Sequence, residues 1–129
     1  MVIMKTIAGL SNSDGGTLLI GVQDDGEILG LDKDFALLGG NSDKFELHVR
    51  NLLNTHLGKV VALQIDISFP AVQGKEICRV DVLKSDKPIY LEMHDDEKNK
   101  IEEKFYVRSG NSTQELTMSE ANEYIKKNF

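Results

Sequence analysis

Asn12-Ser13-Asp14-Gly15-Gly16-Thr17-Leu18-Leu19-Ile20-Gly21-Val22 is the stretch on which the fold turns. It opens with turn formers, and its paired glycines permit backbone angles that a β-carbon resists. The run Thr17 to Val22 is continuously apolar and bounded by turn signals, which predicts a strand buried on both faces. Asp24-Asp25-Gly26 then reads as a hairpin turn and Glu27 to Leu31 as a short returning strand. Upstream, Val2, Ile3, Ile7 and Leu10 form one helical face, and this helix is expected to stop within Ser11 to Gly16.

Downstream, Phe45, Val49, Leu52, Leu53 and Leu57 recur at helical spacing, with Asn41 or Ser42 as N-cap and Gly58 just past the end. Val61, Leu63, Ile65, Ile67 and Phe69 alternate with polar or small residues, predicting a half-buried strand that Pro70 to Gly74 ends. Ile77 to Leu83 alternates Cys78, Val80 and Val82 against Arg79 and Asp81, as an antiparallel partner for that strand would. Pro88 to Leu91 and Lys104 to Ser109 read as two short strands flanking the acidic run Glu92 to Glu103, itself read as a solvated loop. Thr117-Met118-Ser119-Glu120 fits a capping box, with Ala121, Tyr124 and Ile125 on one apolar face of a terminal helix. The expected class is α+β, a mixed, mainly antiparallel sheet with two to three helices packed on it.

The 129 residues, 40% hydrophobic, suit one domain over 1–129. A formal net charge of −6 argues against coating nucleic acid by bulk electrostatics, so any such site must be local. No run reaches the roughly 20 apolar residues of a membrane helix, so no membrane partner is expected. The single cysteine, Cys78, excludes a disulfide framework and a multi-cysteine metal site within one chain, and points to a reducing, cytoplasmic location.

Candidate chemistry is confined to a few places. Arg108-Ser109-Gly110-Asn111-Ser112-Thr113 joins a guanidinium to small hydroxyls and a glycine bend, a combination that can grip a phosphate. Lys87, Lys84 and Arg79 are candidates to join it, with Arg108 placed on the solvent face of its strand alongside Tyr106. Gly15-Gly16 precedes a strand and lacks a following lysine, so it reads as a turn and not a phosphate loop. Asp24 and Asp25 are ordinary turn residues whose carboxylates also suit Mg²⁺ or Mn²⁺. His94-Asp95-Asp96 is read as part of the solvated loop, and His48 and His56 as members of a packing face. Lys126 and Lys127 complement the dipole of the last helix.

The stretch Asn12 to Val22 with Asp24, Gly26 and Gly30, the segment Lys87-Pro88-Ile89-Tyr90, the run Phe105 to Thr113 and the capped helix together resemble the Schlafen AlbA_2 family. That resemblance implies a small α+β module described as nucleic-acid-binding, found in bacterial transcriptional regulators and helicase-like proteins. It gives Asn12, Gly15, Gly16, Gly21 and Gly26 the part of a structural motif. Similar modules form the ribonuclease core of Schlafen proteins, where an acidic residue at the place of Asp24 or Asp25 works on a divalent metal with two upstream glutamates. Family members carry an E-x-K segment before the first helix, whereas this chain begins at Met1 inside it, so a single AlbA_2-like domain truncated at its N-terminus, or a fragment of a larger protein, is expected. The leading expectation is a non-catalytic DNA- or RNA-binding regulatory module without metal or cofactor. The alternatives are a metal-dependent endoribonuclease-like domain using Mg²⁺ or Mn²⁺, and a protein-interaction or homodimerisation domain that uses a sheet edge.

Overall fold

A computed structural model describes residues 1–129. In chain order the elements are α1 (Val2–Asn12), β1 (Gly16–Ile20), α2 (Asp32–Leu37), α3 (Ser42–His56), α4 (Lys59–Leu63), β2 (Ile65–Ser68), β3 (Ala71–Val72), β4 (Lys75–Glu76), β5 (Cys78–Val82), β6 (Leu91–Asp95), β7 (Lys100–Ser109), β8 (Ser112–Leu116) and α5 (Met118–Asn128). The strands build two antiparallel three-stranded sheets, β1-β5-β2 and β6-β7-β8, with β3 and β4 as a separate small hairpin. This is the α+β class expected, with two short helices, α2 and α4, beyond the three that the periodicities predict.

Helix α1 is the spine between the sheets, packing chiefly on β7 and touching β1, β5, β6 and β8. Met4, Ile7 and Ala8 are almost wholly buried, whereas Val2 is exposed. Gly9 marks the closest approach: a β-carbon there would lie 3.1 Å from the carbonyl oxygen of Val107. Helix α3 forms as the sequence predicts. The Asn41 side chain accepts the Lys44 N–H at 2.9 Å, and Phe45, Val49 and Leu53 are buried. Phe35, Phe45 and Phe69 meet edge to face, closing the core below α2.

Five expectations are corrected. The apolar strand is β1, at the edge of its sheet and not buried on both faces: Leu18 and Ile20 turn inward while Thr17 and Leu19 face out, because β1 pairs only with β5. Its returning strand shrinks to one bridge, Val22 to Ile28. Val61 and Leu63 belong to helix α4, where adjacent Val61 and Ala62 are both buried and Leu63 is exposed, a pattern that a strand cannot produce. Finally, the acidic run is a paired hairpin: β6 and β7 enclose it in register from Leu91↔Lys104 to Asp95↔Lys100, and only Asp96 to Asn99 form the turn. The strand expected over Pro88 to Leu91 begins only at Leu91.

Candidate nucleic-acid interface

Strands β7 and β8 are joined by a two-residue loop, Gly110-Asn111, beyond the Ser109↔Ser112 pair. Across the pair Arg108↔Thr113, the Arg108 Nη1 donates to Thr113 Oγ1 at 2.7 Å and Nε donates to the Gly110 carbonyl at 3.2 Å. Both acceptors are neutral. Of the three arginines, Arg50 is ion-paired to Glu46 and Arg79 to Asp81, both at about 3 Å, whereas Arg108 has no carboxylate partner. Glu115 of β8 and Glu120 of α5 are engaged elsewhere. Glu115 accepts from Tyr106 Oη at 3.4 Å and meets Lys104 Nζ at 3.6 Å, and Glu120 closes the capping box with Thr117. The guanidinium is thus held in place with its charge uncompensated, half-buried beside the exposed Ser109, Gly110, Asn111 and Ser112.

The turn is anchored from behind by the end of α1. The Arg108 backbone N–H donates to Ser13 Oγ at 2.9 Å. Asn12, fully buried, donates through Nδ2 to the carbonyls of Tyr106 and Ile89 and accepts the Ile89 N–H on Oδ1, each at 2.8 Å. The Asn12 carbonyl accepts from Tyr124 Oη at 2.7 Å, tying in α5. One asparagine therefore joins three segments far apart in sequence, and every polar atom of its side chain is used. Gly15 has φ +72, and a β-carbon on it would stand 2.6 Å from the Val82 carbonyl oxygen. The glycines let the chain pass against the end of β5, which is the turn role expected of them. Gly21 accepts the N–H groups of Leu29 and Gly30 on its carbonyl, and Gly26 donates to Gln23 across the hairpin turn.

Other candidates stand apart from Arg108. Arg79 lies in the other sheet, on the exposed face of β5. The Thr17 hydroxyl and then the Arg79 guanidinium hold the Asp81 carboxyl below the usual carboxylate range. Lys87 and Lys84 are exposed, and no hydrogen bond or ion pair joins either side chain to the Arg108 turn; Lys87 is two residues from the gripped Ile89. Asp24 and Asp25 are exposed, and Asp25 Oδ1 accepts the Glu27 N–H at 2.9 Å as a turn residue does. No third acid, histidine or cysteine gathers with them or anywhere else in 1–129 to make a metal-holding group. These two carboxylates do not by themselves fit a divalent ion. His94 and Asp95 lie on β6 and not in a loop, and the His94 ring packs edge-on against His56 at 5.6 Å. His56 Nδ1 stands 2.6 Å from the Glu92 carbonyl oxygen, whereas His48 is exposed and not part of a packing face.

The family profile named Schlafen, AlbA_2 matches residues 1–117. The chain belongs to the Schlafen AlbA_2 family. Among solved structures, the DIP2311 protein from Corynebacterium diphtheriae is similar with a TM-score of 0.61 and 21% identity, covering 98% of this chain and 21% of that one. That likeness concerns the fold, and this AlbA_2 chain spans about a fifth of the solved protein. No curated protein sequence matches it. No helix is long and apolar enough to cross a membrane. Sequence reading singled out Arg108 and Thr113 from their residue types, but missed Ser13 as the acceptor that positions the Arg108 backbone. An exposed-looking serine in a turn carries no local signal of a contact 95 residues away.

Proposed function

We propose that this AlbA_2 domain is a cytoplasmic, non-catalytic nucleic-acid-binding module of a bacterial regulator or helicase-like protein. It contacts DNA or RNA phosphates through the β7–β8 turn. The observation that carries this reading is Arg108, the one arginine without a carboxylate, fixed by Thr113 Oγ1 and the Gly110 carbonyl. A guanidinium already oriented by neutral acceptors keeps its full charge for a phosphate, and its Nη2 makes no hydrogen bond within the protein. Ser109, Asn111 and Ser112 add small donors at the rim, and Gly110, whose surroundings are open, adds no side chain to obstruct a backbone. Lys87 serves as a flanking cation. With a net charge of −6, binding rests on these few contacts, so it weakens only modestly with salt, with a slope proportional to the small number of phosphates met. A salt titration of binding to single-stranded DNA, duplex DNA and structured RNA tests this. Salt-dependent binding to at least one of them is expected, and none at low salt overturns the reading.

A further inference from the structure

A different surface opens at the other end of β7. The strand has ten residues, but β6 pairs only with Lys100–Lys104 and β8 only with Phe105–Ser109. The carbonyl of Tyr106 and the N–H of Arg108 turn away from β8, toward Asn12 and Ser13. Because backbone groups alternate along a strand, those of Ile101 and Glu103 turn the opposite way, along the line that β8 would follow if it were longer. Nothing pairs with them there. Beside this open edge lies a groove of about 700 Å³ whose apolar part is Tyr90, Phe105, Leu116, Met118 and Ala121, with Met118 85% exposed.

The rim of the groove is acidic. Glu102 and Glu103 line it, and neither is ion-paired. Glu103 also sits directly across from Glu92 in the β6–β7 register. Like charges placed opposite each other destabilise a strand pair, so this arrangement conflicts with the needs of the hairpin alone. A second copy of the chain is a poor occupant, since it would bring the same acidic edge and a net charge of −6. A phosphate backbone is repelled for the same reason.

We infer that the open edge of β7 at Ile101 and Glu103 is a docking site for an extended, basic protein segment with alternating apolar residues. The segment adds as a strand beside Lys100–Lys104. Its backbone pairs with Ile101 and Glu103, its apolar side chains enter the groove at Phe105 and Met118, and its lysines or arginines, on the opposite face of the added strand, meet Glu102. The site does not rest on the Arg108 reading, because it lies at the opposite end of β7.

The test uses a short capped peptide of alternating lysine and valine, with a glutamate–valine peptide as control, read by backbone amide NMR on the full chain. The lysine peptide should slow hydrogen exchange at Ile101 and Glu103 and shift the resonances lining the groove. The double variant Glu102→Lys/Glu103→Lys should weaken it by about tenfold or more. Ile101→Pro removes an N–H that faces away from β6, so the hairpin survives while binding is lost; where one of these variants does not fold, the other decides. No binding of the lysine peptide overturns the proposal, as does equal binding of the glutamate peptide or protection that bypasses Ile101 and Glu103. Protection of those amides that rises with protein concentration and no peptide overturns it in favour of a second copy.

Discussion

The two halves of β7 are built for different ends. Phe105–Ser109 has β8 on one side and the side chains of Asn12 and Ser13 on the other, with Phe105 and Tyr106 both buried. Lys100–Lys104 has β6 on one side and solvent on the other, and Ile101, Glu102 and Glu103 are all exposed. The covered half is built into the domain through Tyr106 and the α1 contacts and fixes Arg108 at its end, while the uncovered half is expected to tolerate change with less effect on folding. This contrast shows how one strand can serve both structure and recognition. A buried backbone group must find a partner inside the fold, whereas an exposed one can wait for a partner from outside.

The sharpest way to break this comparison is at Asn12. Asn12→Ala leaves the Ile89 N–H and the carbonyls of Ile89 and Tyr106 without partners, and each unsatisfied buried group costs about 1–3 kcal/mol. Urea unfolding should show a loss of about 3 kcal/mol or more. A loss below about 1 kcal/mol would mean that water replaces the amide and that the covered half is not held by α1. Gly15→Ala should follow at about 2 kcal/mol, because the added carbon meets the Val82 carbonyl at a positive φ. An unchanged melting temperature would contradict that.

The pH dependence of stability gives a third, smaller test. Burial, helped by the charge of Glu46, pushes the Cys78 thiol from 9.0 up to about 11. A pKa raised on folding contributes stability that is complete below pH 9.0 and is lost as the pH climbs toward about 11. Tyr106 shifts upward as well, mainly through burial, and adds to the loss at the alkaline end. Urea midpoints should fall over this range, and less steeply in Cys78→Ala; a flat profile in the unmodified chain would show that the thiol is not buried in solution. Smallest is the effect in the uncovered half. Glu103→Gln relieves the repulsion with Glu92 and should leave stability unchanged or raise it by about 0.2–1 kcal/mol. Clear destabilisation there would remove the distinction between the halves.

Much of the fold was legible because local patterns and tertiary packing agree. The spacing of Phe45, Val49 and Leu53, the alternation of Cys78, Val80 and Val82, and the Thr117–Glu120 capping box each appear in the structure as expected. Reading failed where two patterns overlap. Val61 and Leu63 continue the alternation of Ile65 and Ile67, yet Gly58 restarts a helical turn that only packing reveals. The run Thr17–Ile20 is apolar enough for a central strand, and its edge position depends on sheet order, which no local pattern encodes. Glu92 to Glu103 looked like a loop because its charge hides the β-pairing. Of the candidate site, Arg108 and Thr113 are legible by residue type, whereas strand β8, which sets them opposite each other, is not among the expected strands, and the parts played by Asn12 and Ser13 depend on contacts across most of the chain.

The central claim is that the end of the covered half of β7 presents Arg108 to a phosphate. It is tested most directly by the salt dependence of nucleic-acid affinity in the unmodified chain, Arg108→Lys, Arg108→Ala and, as a control, the ion-paired Arg79→Ala. The account predicts weaker binding for Arg108→Lys, weaker again for Arg108→Ala on every sequence, a fall of about one in the salt slope for Arg108→Ala, and no change for Arg79→Ala. Equal affinities and slopes for Arg108→Ala and the unmodified chain would contradict it.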